Sequence, residues 1–284
     1  MKRPIVLLLF AAAVTGAPAQ QGRVFETRTV TSNILKMERR YAVYLPPDYD
    51  HTDRSYPVLY LLHGSGDDHT GWVQFGQVQH IADRAIAEGK ATPMIIVMPD
   101  ANTTVRGYFN QPDGSFDYER FFFDELIAHI ETAYRVRSER RYRAIAGLSM
   151  GGGGAIYYTL HRPEFFAAAA PLSASVETGR WFVGKYAALS PQQQAAHVRA
   201  HTLDSLLAPD VGEEYLNRIR QVRWYVSCGD DDFLYRHNSL LHILFRDRQI
   251  AHEYRVKDGG HSWTYWRGEL PEVLEFVSKS FMQY

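Results

Sequence analysis

Cysteine is nearly absent from this 284-residue chain; Cys228 stands alone. No internal disulfide can staple the fold, so its stability must come from a buried core. No long basic run follows the N-terminus and the formal net charge is -1. That leaves no phosphate-neutralising surface of the kind nucleic-acid binding requires. The apolar stretch near the N-terminus, from about Ile5 to Val14, falls short of the roughly 20 residues of a bilayer-spanning helix. Internal repeats and low-complexity tracts are also missing. What is present, 45% hydrophobic and 22% charged residues, is an ordinary globular composition, and one large domain is the simplest organisation.

Residues 1–19 read as a secretory signal: Lys2 and Arg3, then the short apolar stretch, then Ala17-Pro18-Ala19 as a small-x-small cleavage site. No cysteine follows to take a lipid, so no membrane anchor is expected. The domain 20–284 is therefore expected to be secreted or periplasmic.

Five short apolar runs punctuate that domain: PVLYLLHG (57–64), PMIIVMPD (93–100), YRAIAGLS (142–149), FAAAAPLS (166–173) and VRWYVSCGD (222–230). Their continuity, without alternation, predicts strands covered on both faces, and the helical stretches between them imply a parallel sheet. The clearest helix is 117–134, with Phe122, Leu126, Ile130 and Ala133 on one face. Ahead of the runs, RRYAVYLPPDY (39–49) alternates Tyr41, Val43 and Leu45 like an edge strand of an antiparallel pair. The fold class is thus α/β, mostly parallel, with antiparallel strands on the N-terminal side and helices on both faces. Residues 176–221 lack any strand-like run and read as a helical insertion of two or three helices, with Ser190-Pro191 and Asp210 as helix starts. Loops beyond the carboxyl ends of strands build ligand sites in such folds, and the insertion can shape one.

Gly147-Leu148-Ser149-Met150-Gly151 fits G-x-S-x-G between a predicted strand and a predicted helix. A turn this sharp holds the serine in a strained conformation and leaves no room for side chains at 147 and 151. It also points the Met150 N–H, at the positive end of the helix, at the place where an oxyanion would form. Gly152 to Gly154 would let the helix press against the sheet.

Serine needs a base, and in this fold the acid and histidine follow it in chain order. His237 and His242 lie in a predicted helix, and His252 opens a strand-like segment. His261, in KDGGHSWTYW, stands on a glycine-flanked loop after the last strand and is the expected base. The acid is expected among Asp230, Asp231 and Asp232, just after the strand that ends near Cys228. Spacing does not choose among the three.

Taken together, GLSMGG, YLLHG, FFFDELIAHIETAYRV, CGDDDFLY and GGHSWTYWR resemble the esterase D-type α/β-hydrolases. Within these the likeness is to secreted feruloyl and acetylxylan esterases of carbohydrate esterase family one, over about residues 25–284. The resemblance implies an α/β-hydrolase fold and a Gly-x-x-Asp acid before an apolar pair. That pattern falls on Gly229, Asp232, Phe233 and Leu234 and so selects Asp232. It also implies a second oxyanion donor after His63-Gly64, the N–H of Ser65. The function it implies is hydrolysis of feruloyl or acetyl esters on plant cell-wall polysaccharide without a cofactor. An acyltransferase of the mycolyltransferase type, using the same triad, is the alternative.

The His197 and His201 pair in HVRAH has the i, i+4 spacing of a zinc motif but lacks its glutamate and a third ligand. An exposed helix and no metal are expected there. Trp72 and Trp263 are singled out as substrate-stacking aromatics, among a wider set of Tyr108, Phe109, Trp181 and Trp266 near strand ends or in the insertion.

Overall fold

The apolar runs become five parallel strands. The computed structural model describes residues 21–102, 107–176 and 189–282. Its eight-stranded sheet has the order β1-β2-β4-β3-β5-β6-β7-β8, with β1 at Arg23–Ser32, β2 at Met37–Leu45, β3 at Val58–Leu62 and β4 at Ile95–Pro99. The remaining strands are β5 at Arg143–Leu148, β6 at Ala168–Leu172, β7 at Arg223–Gly229 and β8 at His252–Lys257. β1 and β2 pair antiparallel, as do β2 and β4; every other pairing is parallel.

Successive side chains of a central strand enter different cores, which is why the runs show no alternation. Tyr60 and Leu62 pack into one cluster with Ile145, Phe122, Ile130, Ala155, Ile156 and Phe245. Leu59 and Leu61 pack into the other with Ala144, Ala146, Trp72, Ala82, Leu270 and Val277. The second face is covered by α1 (Gly71–Gln74), α2 (Val78–Ala87) and the C-terminal α10 (Trp263–Met282). The first is covered by α3 (Tyr118–Phe121) and α4 (Ile127–Ala133), joined by a π-helical turn at Phe122–Leu126, with α5 (Met150–His161), α8 (Glu213–Arg220) and α9 (Tyr235–Asp247).

The structure corrects several expectations. The alternating segment at 39–49 is not the edge: β2 lies between β1 and β4, and β1 takes the exposed position. Ala133, expected on the apolar face of its helix, is exposed. Within the insertion, α6 (Pro191–His201) starts at Ser190 as expected, with a capping box in which the Ser190 side chain accepts from Gln193 N. α7 spans Leu203–Leu206. α8 begins at Glu213 after a Gly212 N-cap rather than at Asp210. The HVRAH segment is not an exposed helix face. His197 and His201 are buried and their rings stack at 4.2 Å, and His201 also meets Phe109 and His161. Burial, with the neighbouring His197 and His161, pulls the His201 pKa down to about 4. The expected signal segment 1–19 and Trp181 lie outside the described residues, and no described helix is long and apolar enough to cross a membrane.

Candidate active site

Ser149, Asp232 and His261 gather beyond the carboxyl ends of β5, β7 and β8, and Ser65 lies beyond that of β3. Ser149 follows β5 directly and sits at φ 53, ψ -115 as the N-cap of α5. A non-glycine residue rarely adopts such a backbone, and the surrounding bonds hold it there. Ser149 N donates to Leu172 O at 2.9 Å, while Ser149 O accepts from Gly153 N at 3.0 Å and from Ser175 N at 2.9 Å.

The glycines around it are dictated by how closely α5 crosses the sheet. A Cβ on Gly151 would lie 2.6 Å from the carbonyl oxygens of both His63 and Leu62, and one on Gly153 would lie 2.2 Å from Ser175 O. These contacts are with backbone, which cannot swing away as a flexible side chain could. Gly151→Ala is therefore expected to cost about 3 kcal/mol or more, read as a Tm lower by roughly 6–12 °C in thermal unfolding followed by circular dichroism. A variant melting like the wild type would contradict this packing.

His261, on the loop after β8, reaches back to Ser149. His261 Nδ1 donates to the Asp232 carboxylate, at 3.0 Å to Oδ1 and 2.9 Å to Oδ2, which leaves Nε2 to accept from Ser149 Oγ at 2.9 Å. Asp232 is 1% exposed. Burial alone would raise its pKa, but hydrogen bonding from His261, the Leu234 N–H and Ser173 outweighs burial and holds it below the usual carboxylate value.

The other two aspartates of the triplet point elsewhere. Asp230 is exposed and its Oδ1 accepts from Gly259 N at 3.0 Å and from Asp231 N at 3.1 Å, tying the two loops together. Asp231 is exposed. The turn after β7, with Asp232 N donating to Gly229 O at 3.3 Å, is what sends the third carboxylate inward.

The two residues expected to supply oxyanion N–H groups lie on different segments, and a Cβ on Gly64, the neighbour of Ser65, would lie 3.5 Å from Ser149 Cβ. Met150 is the first residue of α5, where an N–H has no intrahelical acceptor. Ser65 is exposed on the loop after β3. That loop is fixed from beneath by the buried His63, whose Nδ1 donates to Gly64 O at 2.8 Å and whose Nε2 accepts from Ala101 N at 2.9 Å. Burial lowers the His63 pKa, consistent with a neutral ring making both bonds.

The aromatics separate into two groups. Trp72, expected to stack on substrate, is 0% exposed, belongs to the core and donates Nε1 to Leu62 O at 3.0 Å; it offers no face to a ligand. Tyr108 is equally buried. Trp266 is buried too, with its ring edge-on to His261 at 4.9 Å and its Nε1 donating to Ser173 Oγ at 3.0 Å. Trp263 is partly exposed and packs against Phe75, itself 49% exposed, at 5.9 Å.

Sequence reasoning missed two neighbours of the triad. Ser173, fully buried at φ 44, links the Trp266 indole to the Asp232 carboxylate; a polar residue at the end of β6 was the signal available. Phe233 is 71% exposed yet stands 4.4 Å from the His261 ring. So large an exposed aromatic beside the imidazole suits contact with a ligand.

Serine, imidazole and carboxylate in hydrogen-bonded series at strand ends of a mostly parallel sheet are the arrangement that defines the α/β-hydrolase class. The chain belongs to the Esterase family, described as "Putative esterase", whose model matches residues 32–277. It is similar to a solved ferulic acid esterase, with 37% identity, a TM-score of 0.80 and coverage of 92% of this chain and 99% of that one. It is 38% identical over 144 residues to Esterase MT1326 of Mycobacterium tuberculosis, covering 49% of this chain and 30% of the relative. To an endo-1,4-beta-xylanase/feruloyl esterase of Xylanibacter ruminicola it is 39% identical over 131 residues, covering 44% of this chain and 18% of the relative. The matched part thus spans less than a third of the length of either of these two curated relatives.

Proposed function

We propose that the protein is an exported serine esterase that cleaves feruloyl or acetyl esters by two-step acyl transfer. The observation that carries this is the Ser149–His261–Asp232 series, with Ser149 Oγ 2.9 Å from His261 Nε2. In the first step His261 Nε2 takes the Ser149 proton as Oγ bonds to the ester carbonyl carbon, and the carbonyl oxygen becomes an anion held by the N–H groups of Met150 and Ser65. The imidazolium is steadied by Asp232 and gives its proton to the leaving alcohol as the carbon–oxygen bond breaks. Water then attacks the acyl-serine by the same path, and the carboxylic acid leaves. No cofactor is required by this sequence of steps.

The substrate class follows from a different set of residues. Phe233, Phe75 and Trp263 give the surroundings of the triad exposed aromatic surface, which suits a flat aryl acid or a sugar ring. The likeness to proteins named feruloyl or ferulic acid esterase supports a feruloyl ester on a polysaccharide as substrate. Export rests on the leader-like residues 1–19 and fits a polymer met outside the cytoplasm. The domain is taken as 20–284, with 176–221 as its helical insertion.

The test is a panel of methyl ferulate, p-nitrophenyl acetate and longer-chain p-nitrophenyl esters assayed with and without an added sugar acceptor. Release of ferulic acid into water, at a kcat/KM above that for the longer-chain esters, is expected. Transfer of the acyl group to the sugar in preference to water would instead make the protein an acyltransferase.

A further inference from the structure

The loop after β3 carries a carboxyl that the mechanism does not use. Asp67 is half-buried, and its backbone N–H donates to Gly64 O at 3.3 Å, folding the residue back over the turn. A Cβ placed on Gly64 would lie 3.5 Å from Ser149 Cβ and 3.6 Å from Asp67 Oδ2, so the nucleophile's side chain and this carboxylate flank the same glycine. On its other side, a Cβ on Gly71 would lie 3.2 Å from Asp67 Cβ and 3.4 Å from Trp263 Cζ2. Asp67 is therefore a neighbour of both Ser149 and the partly exposed indole.

Its neighbour shows what a structural aspartate looks like here. Asp68 accepts from Thr70 N at 2.8 Å and Thr70 Oγ1 at 2.7 Å. Burial would raise the Asp68 pKa, but these bonds hold it down. The Asp67 side chain has no hydrogen-bond or ion-pair partner among the described residues, and burial, then the charge of Asp68, raise its pKa. A partly buried carboxyl without a partner is unfavourable for the fold, and in a site mouth it marks a group kept for a ligand. Trp263 and Phe75 supply apolar surface beside this single polar acceptor, the pairing that a neutral, hydroxyl-bearing ring requires.

We propose that Asp67 is a specificity residue, whose carboxyl receives a hydroxyl group carried by the substrate. The hydroxyl is either the phenol of the acyl group or a sugar hydroxyl of the alcohol. The proposal rests on the esterase reading above.

Two matched substrate pairs separate these sources. The first is methyl ferulate against methyl 3,4-dimethoxycinnamate, in which the phenol is capped. The second is an acetylated methyl xyloside against cyclohexyl acetate, which lacks the ring hydroxyls. In the wild type, kcat/KM is expected to favour the hydroxylated member of one pair by about 10-fold or more, and the responding pair names the source. Asp67→Asn should shrink that ratio and Asp67→Leu should bring it near one. Tm should not fall in Asp67→Asn, because the fold gives the carboxyl no partner. Equal ratios in wild type and both variants, or no preference in either pair, overturn the proposal while leaving the esterase intact. A lower Tm in Asp67→Asn with the ratio unchanged would make Asp67 a structural residue. If the wild type cleaves none of the esters, p-nitrophenyl acetate included, the esterase reading falls and this proposal with it.

Discussion

Ser149→Ala is expected to lower kcat for p-nitrophenyl acetate and methyl ferulate by about a millionfold, as loss of the nucleophile does in other serine hydrolases. The size of the effect follows from the division of labour in the proposed mechanism. The N–H groups of Met150 and Ser65 can polarise a carbonyl, but without Oγ no acyl-enzyme forms and His261 has nothing to deprotonate except water. The variant should fold normally, because the Ser149 backbone bonds to Leu172, Gly153 and Ser175 do not involve the hydroxyl. A melting curve close to wild type beside lost turnover is the expected pair of results. Comparable turnover by the two proteins would mean that the hydroxyl is not the nucleophile.

Asp232→Asn is expected to lower kcat by about 10^4-fold, with KM little changed. The asparagine amide would present a donor to His261 Nδ1 in one orientation and a neutral acceptor in the other, so the proper tautomer and the imidazolium both lose support. Asp230→Asn and Asp231→Asn should fall within a few-fold of wild type, since Asp230 only ties the loops and Asp231 is exposed. The pH dependence has a definite sign. The folded Asp232 pKa is lowered, so its contribution to stability is present above the usual carboxylate value and is lost only as pH falls through the lowered one. Protonation of Asp232, with the loss of kcat/KM that follows from it, is therefore expected at a lower pH than for an ordinary carboxylate. A large loss in Asp230→Asn or Asp231→Asn, with Asp232→Asn active, would reassign the acid.

Much of this site was legible because its parts coincide with strand ends. The apolar runs that become β3 to β7 read as two-sided strands once helices alternate with them, the elbow follows at the carboxyl end of β5, and His261 follows β8. β1 escaped notice because RVFETRTVTS is largely solvated at the sheet edge and carries little hydrophobic signal. Trp72 was misplaced for a related reason. Sequence puts it near the end of β3, but only the short α1 decides that its indole turns into the core. The His197 and His201 spacing reads as an exposed helix, and what buries His201 instead is contact with Phe109 and His161, distant in sequence. Spacing left Asp232 level with its two neighbours; the resemblance selected it, and the turn after β7 is what sends its carboxylate inward. Ser173 and Asp67 are single polar residues whose meaning depends on the groups they face across the fold, information that no local pattern carries.

The central claim is that the Ser149 hydroxyl becomes acylated. Rapid acid quench of the reaction with methyl ferulate, followed by intact mass and peptide mapping, tests it directly. The account predicts one feruloyl group per chain, located at Ser149 and absent from Ser149→Ala. Adduct on another residue, or steady ferulate release by Ser149→Ala at the wild-type rate, would contradict it.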